Sequence, residues 1–106
     1  MNMWEPISLE ELYFEIQKTV PELKDELLIF WEQIKIEPEK WQELLYGNDG
    51  GGFWVVAIFG EKVIWYNDIE EGFNISDYDT PNYILEYGTE QDELKWCLNK
   101  LMKLNK

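Results

Sequence analysis

At 106 residues, 45% of them hydrophobic and 16% aromatic, the chain has material for one buried core but not two, and it is too apolar to stay disordered. Its 22 acidic and nine basic residues, the latter all lysine, give a net charge of −13, a field that repels nucleic acid and anionic lipid and attracts basic protein surfaces. The longest apolar run, Phe53–Phe59, has seven residues against the roughly 20 that cross a bilayer, the N-terminus carries no leader pattern, and the lone Cys97 cannot form an internal disulfide, so the expectation is one domain over 1–106 in the cytoplasm.

Ser8 followed by Glu11 is a capping box, and Leu9, Leu12, Tyr13 and Ile16 follow at helical spacing, which predicts a first helix over 8–18. Thr19 and Glu22 repeat the pattern with Pro21 in the first turn, and Leu23, Leu27, Phe30, Trp31 and Ile34 make the apolar stripe of a second helix. Pro38 is read as opening a third, short helix whose Trp41, Leu44 and Leu45 share a face. Its stop is the run Gly47-Asn48-Asp49-Gly50-Gly51-Gly52.

Phe53–Phe59 shows no polar alternation and is rich in β-branched and aromatic residues, the pattern of a central strand covered on both faces. Whether its second cover is intramolecular or another copy stays open, as does the oligomeric state. Gly60-Glu61 fits a two-residue turn, and Lys62–Asn67 returns as the partner strand of a hairpin with Val56 opposite Trp65 and Ala57 opposite Ile64. Residues 73–75 and 83–87 are weaker strand candidates. Thr89 is expected to cap a last helix with Glu90, Asp92 and Glu93 in its first turn, lysines including Lys100, Lys103 and Lys106 towards its end, and Leu94, Cys97, Leu98, Leu101 and Leu104 as its buried stripe. The fold class is therefore α+β: N-terminal helices, a central antiparallel sheet built on a hairpin, and a C-terminal helix packed on the sheet.

The chain contains no histidine, which removes the usual general base near neutral pH and the commonest metal ligand together. Cys97 on an apolar helix face reads as a small hydrophobe rather than a nucleophile. Glu70, Glu71, Asp77 and Asp79 are the obvious carboxylate candidates for glycoside hydrolysis, but no distinguishing motif accompanies them. Asn67-Asp68-Ile69-Glu70-Glu71-Gly72 departs from a calcium loop at Ile69, where a ligand belongs, and lacks the closing glutamate. The glycine run precedes a strand and lacks a lysine, so a backbone requirement explains it better than a phosphate cradle. No catalytic residue, metal site or cofactor is expected.

Charge is concentrated locally: residues 60–93 hold ten acids against the single Lys62. With tyrosines among them, the expectation is a protein-binding face made of Asp68, Glu70, Glu71, Asp77, Asp79, Tyr66, Tyr78 and Phe73. No nucleic-acid or membrane partner is expected.

The stretch Tyr46-Gly47-Asn48-Asp49-Gly50-Gly51-Gly52-Phe53-Trp54-Val55-Val56, continued by Val63-Ile64-Trp65-Tyr66-Asn67-Asp68-Ile69-Glu70-Glu71-Gly72-Phe73-Asn74 and by Glu86-Tyr87 and Gln91-Asp92-Glu93-Leu94, resembles small bacterial proteins related to the SUKH-type immunity families. The resemblance implies a small α+β immunity protein that binds and neutralises a cognate toxin, often a nuclease with a basic cleft, by occlusion and without catalysis. An acidic adaptor or regulatory subunit of another complex, or a small-molecule binder with a pocket among the hairpin aromatics, are the alternatives that the residues leave open.

Overall fold

A computed structural model of the chain describes residues 5–46 and 51–104, so residues 47–50 of the expected helix stop and Lys106 of the last helix lie outside it. The capping box forms as the sequence predicts: Glu11 N donates to Ser8 Oγ at 3.1 Å and Ser8 N to the Glu11 carboxylate at 3.0 Å, starting α1 (Leu9–Thr19). The elements continue as a 3-10 turn (Val20–Glu22), α2 (Asp25–Ile34), β1 (Lys35–Trp41), β2 (Phe53–Phe59), β3 (Lys62–Asn67), β4 (Gly72–Asp77) and α3 (Leu94–Leu104). The strands make one antiparallel sheet in the order β1-β2-β3-β4, and α2 and α3 pack on it, an α+β arrangement. Among the described residues, no helix is long and apolar enough to cross a membrane.

Several sequence expectations change in the structure, each for a physical reason. Thr19 does not cap α2, because α1 runs through it in helical geometry and buries it, whereas a cap needs extended backbone. Extended Leu23 then separates the 3-10 turn from α2, whose N-cap position is Lys24. Pro38 opens no helix. It sits in edge strand β1, where Ile36, Pro38 and Lys40 are partly buried in alternation with exposed Glu37 and Glu39. Proline disfavours helical backbone at the preceding residue and is tolerated on a strand edge, and the ladder is irregular between Lys35 and Glu39, around it.

The β2–β3 hairpin pairs Ala57 with Ile64 as expected, but Val55, not Val56, stands opposite Trp65. Val56 is the extra residue of a bulge, so Val56 and Ala57 both enter the core under the helices while Val55 points to the other face. Finally, Thr89 caps nothing: Phe73 N donates to Asp92 O at 2.8 Å and Glu90 N to Asn74 Oδ1 at 2.9 Å, holding this stretch along β4 so that α3 starts only at Leu94. Leu94, Cys97, Leu98 and Leu101 are buried as expected, whereas Leu104 is exposed. Residues 73–75 lie within β4, but 83–87 form no strand beyond a single bridge between Tyr83 and Gln42.

The sheet has two apolar faces. Val56, Ala57, Ile64, Tyr66 and Phe73 pack with all three helices, where the Phe30 and Phe59 rings meet edge to face at 5.1 Å. On the opposite face lie Trp41, Phe53, Val55, Val63 and Trp65, and their cover is the strap 78–93, with Ile84 buried among them and Tyr78 and Tyr87 alongside. The second cover of the central strand is therefore the chain itself. Three buried polar side chains fasten the strap: Asn67 Nδ2 donates to Gly88 O at 2.7 Å, Ser76 Oγ to Glu86 O at 2.8 Å, and Asn74 Nδ2 to Glu90 O at 2.9 Å. They satisfy backbone carbonyls that an irregular segment would otherwise leave without partners.

Gly52 turns the chain into β2 at φ +106°, and a Cβ built on it would stand 2.5 Å from Trp41 O. Gly60 also has positive φ, at +61°, but open space around it. Gly52→Ala should therefore lower the unfolding free energy by at least about 3 kcal/mol in urea titrations, against about 1 kcal/mol for Gly60→Ala. Equal losses would show that the contact with Trp41 relaxes freely.

Burial pushes the Cys97 thiol from 9.0 up to about 12, with the Asp92 charge adding to it. The folded chain keeps this proton between those values while the unfolded chain releases it. The contribution is thus complete below pH 9 and lost as pH rises towards 12. Cys97→Ala should show a shallower alkaline fall in its urea midpoint than the parent chain; identical falls would refute the burial of the thiol.

Candidate functional site

The segment before α1 is tied down at Ile7, whose N–H donates to Asp68 Oδ2 at 2.6 Å and whose carbonyl accepts from Trp54 Nε1 at 3.0 Å. Asp68 belongs to the β3–β4 turn. Its shape is set by Asn67, whose side-chain oxygen accepts from Ile69 N at 3.0 Å and Glu70 N at 3.1 Å, an Asx turn that uses the oxygen a cation would need. Glu71 completes the turn at φ +62° before Gly72, where the backbone of Gln91 leaves no room for a Cβ.

These ties bring α1 alongside the turn and frame a groove of about 550 Å³. Six carboxylates line it: Glu5, Glu10, Glu11 and Glu15 from the helix side, and Asp68 and Glu71 from the turn, with no lysine among them. Phe14 stands in the same groove at 66% exposure, and Tyr66 lies beneath. The surface continues across Glu15, Tyr66 and Glu71 into a second recess of about 370 Å³ that adds Glu22, Asp92 and Glu93. Its one cation, Lys18, is paired with Glu15 at 3.0 Å.

The eight residues singled out from the sequence do not form one face. Asp68 and Glu71 line the groove, and Glu70 lies in the same turn, its carbonyl accepting from Gln91 Nε2. Asp77 and Asp79 sit at the far end of β4, about 16 Å away at the usual rise per strand residue. There Asp77 pairs with Lys62. Tyr78 packs edge to face on Trp41 at 5.1 Å and donates to Gly60 O, so it closes the hairpin end. Phe73 and Tyr66 are buried, 4% and 7% exposed, with rings 4.9 Å apart. Phe73 is core, and Tyr66 is the floor of the groove rather than part of its rim.

The helix glutamates were overlooked because acids were counted along a window of sequence, whereas this cluster joins positions some sixty residues apart. The signal was present in α1. Glu11 and Glu15 are a like-charged i,i+4 pair, which costs a helix a few tenths of a kcal/mol, and the first lysine that answers them is Lys18. Glu11 is eased by its cap: the Ser8 N–H and hydroxyl hold its carboxyl below the usual range.

Among the described residues, no three His, Cys, Asp or Glu side chains converge closely enough to hold a metal ion. What the arrangement offers is a predominantly negative field beside one exposed aromatic ring, Phe14, over which the Lys18 ammonium lies at 5.2 Å. Tyr66 registers that field: its hydroxyl is pushed up to about 12, first by burial and then by the charges of Glu15, Glu71 and Asp68. Glu71→Gln should bring the Tyr66 pKa down part of the way towards its ordinary value in an NMR titration of labelled tyrosine, burial supplying the remainder. No change would separate Tyr66 from the groove charge.

No family model, curated protein or solved structure matches this chain.

Proposed function

We propose that this chain is a non-catalytic binding domain that neutralises a basic protein by occluding it. The observation that carries this reading is the groove of six carboxylates beside Phe14, with one nearby cation, Lys18, paired with Glu15 and lying over the Phe14 ring. Fixed like charges are unfavourable in the free protein and become favourable only against a positive surface, where they also speed encounter by steering. An exposed aromatic ring within a polar rim is the composition of a protein interface. The absence of histidine and the burial of Cys97 support a role without catalysis.

The resemblance to SUKH-type immunity proteins gives the partner a class: a toxin made in the same cell, whose basic active-site cleft the groove would fill. The site of action is then the cytoplasm. An acidic adaptor would use the same groove on a different basic partner, and gene context separates the two.

The test begins with capture of the partner from host lysate by tagged protein at low and at high salt, followed by association kinetics with the protein recovered. A basic partner that is lost at high salt is expected, toxin-like and encoded beside this chain. Glu10→Lys with Glu71→Lys should slow association by about tenfold or more and flatten its salt dependence. Both positions are exposed and neither takes part in the capping box. An unchanged rate in a variant that still melts as the parent does would remove the groove from the interface.

A further inference from the structure

Away from the acidic groove, five large apolar side chains stand in water on the strap side of the sheet: Leu44, Leu45, Tyr46, Tyr83 and Leu85, between 51% and 84% exposed. Single exposed leucines are ordinary on protein surfaces, whereas a converging set of this size is not. They come from two segments that the backbone locks together, with Gln42 N donating to Asn82 O at 2.8 Å and Ile84 N to Gln42 O at 2.9 Å. Glu43, only 3% exposed, accepts from Leu45 N at 3.0 Å and Tyr46 N at 2.7 Å. A buried carboxylate thus holds the turn that presents these leucines outward, an arrangement that lowers the freedom of the surface without hiding it.

Most of these residues line a groove of about 640 Å³ whose charged members are Glu43 and Asp79, with no lysine. The neighbouring exposed charges on this strap include Glu86, again acidic. We propose that this groove is a second docking surface, for a segment of a partner protein that carries an aliphatic or aromatic side chain beside a lysine or arginine. The apolar side chains take the first and the exposed Asp79 and Glu86 beside them the second, Glu43 being occupied in holding the turn. Charge disfavours a second copy of this chain as the occupant, since each copy carries −13 and brings no arginine. The inference does not depend on the acidic groove beside α1.

Two synthetic peptides of equal length and charge test it, one alternating leucine with lysine and the other serine with lysine. Any basic peptide will be drawn to so acidic a chain, so the difference between the two is the readout. The leucine peptide should bind about tenfold more tightly or better, with amide shifts at Leu44, Leu45, Tyr83 and Leu85. Leu44→Ser with Leu85→Ser, both exposed positions, should abolish that difference, while Trp96→Ser, an apolar change on α3 about as exposed as Leu85, should leave it intact. Equal binding of the two peptides would overturn the proposal, as would shifts confined to the α1 side. Sedimentation showing a dimer that Leu44→Ser with Leu85→Ser dissolves would also overturn it, by making a second copy the occupant.

Discussion

The indole N–H of Trp65, a residue with no exposed surface, donates to Ser76 Oγ at 2.9 Å, and that hydroxyl donates onward to Glu86 O. This short chain of bonds states the main constraint on the molecule. A four-stranded sheet with aromatic residues on both sides must be covered twice, and there are helices for one side only. The other cover is irregular backbone, which brings unpaired carbonyls into an apolar setting unless the sheet supplies donors. Asn67, Asn74 and Ser76, all within β3 and β4, supply them. They are the polar exceptions in an otherwise apolar layer, and removing any one would strand a partner at a cost of about 1–3 kcal/mol.

Both surfaces follow from that solution. Asn67 works in two directions: its amide N–H₂ holds the strap at Gly88, and its oxygen shapes the turn that carries Asp68 and Glu71. The acidic turn is therefore as rigid as the packing beneath it. The strap's earlier part must cross from the end of β4 to the end of β1, meeting Gln42 at Tyr83 and Ile84. Ile84 goes inward to fill the layer while Tyr83 and Leu85 on either side face out. An apolar groove beside Leu44 and Leu45 is the geometric consequence of covering a sheet with a segment only one residue thick.

How much of this was legible in the sequence depends on the range of the interactions. Some signals complete within a few residues were read correctly, the Ser8–Glu11 box, the Gly60-Glu61 turn and the all-apolar run of β2, but the Thr19–Glu22 pattern was not, because α1 runs on through Thr19. Pro38 was misread because proline is compatible with both a helix start and an edge strand, and only pairing with β2 decides between them. The Val56 bulge shifts register without leaving any composition cue. Thr89 has the residues of a cap, but Asn74 and Phe73 claim the backbone around it first. Least legible was the groove, since the bond from Ile7 to Asp68 spans sixty-one positions and nothing local at either end announces it.

The lysines compensate the charge of the groove only in part, at Glu15 and Asp68. Lys18, Lys35, Lys62 and Lys100 are each engaged by a carboxylate, on Glu15, Glu32, Asp77 and Asp92. Lys40 lies over the Trp54 ring and donates to Gly52 O, with burial drawing its pKa down against the pull of Asp68. No ion pair of these cations reaches Glu5, Glu10 or Glu71 among the described residues. Mobile ions must screen them instead. Added salt then relieves repulsion within the chain and stabilises it; on the proposed reading it would at the same time weaken attraction to a basic partner. Like charges held this close oppose folding, and the strength of the core on both sides of the sheet is what lets the acids remain clustered.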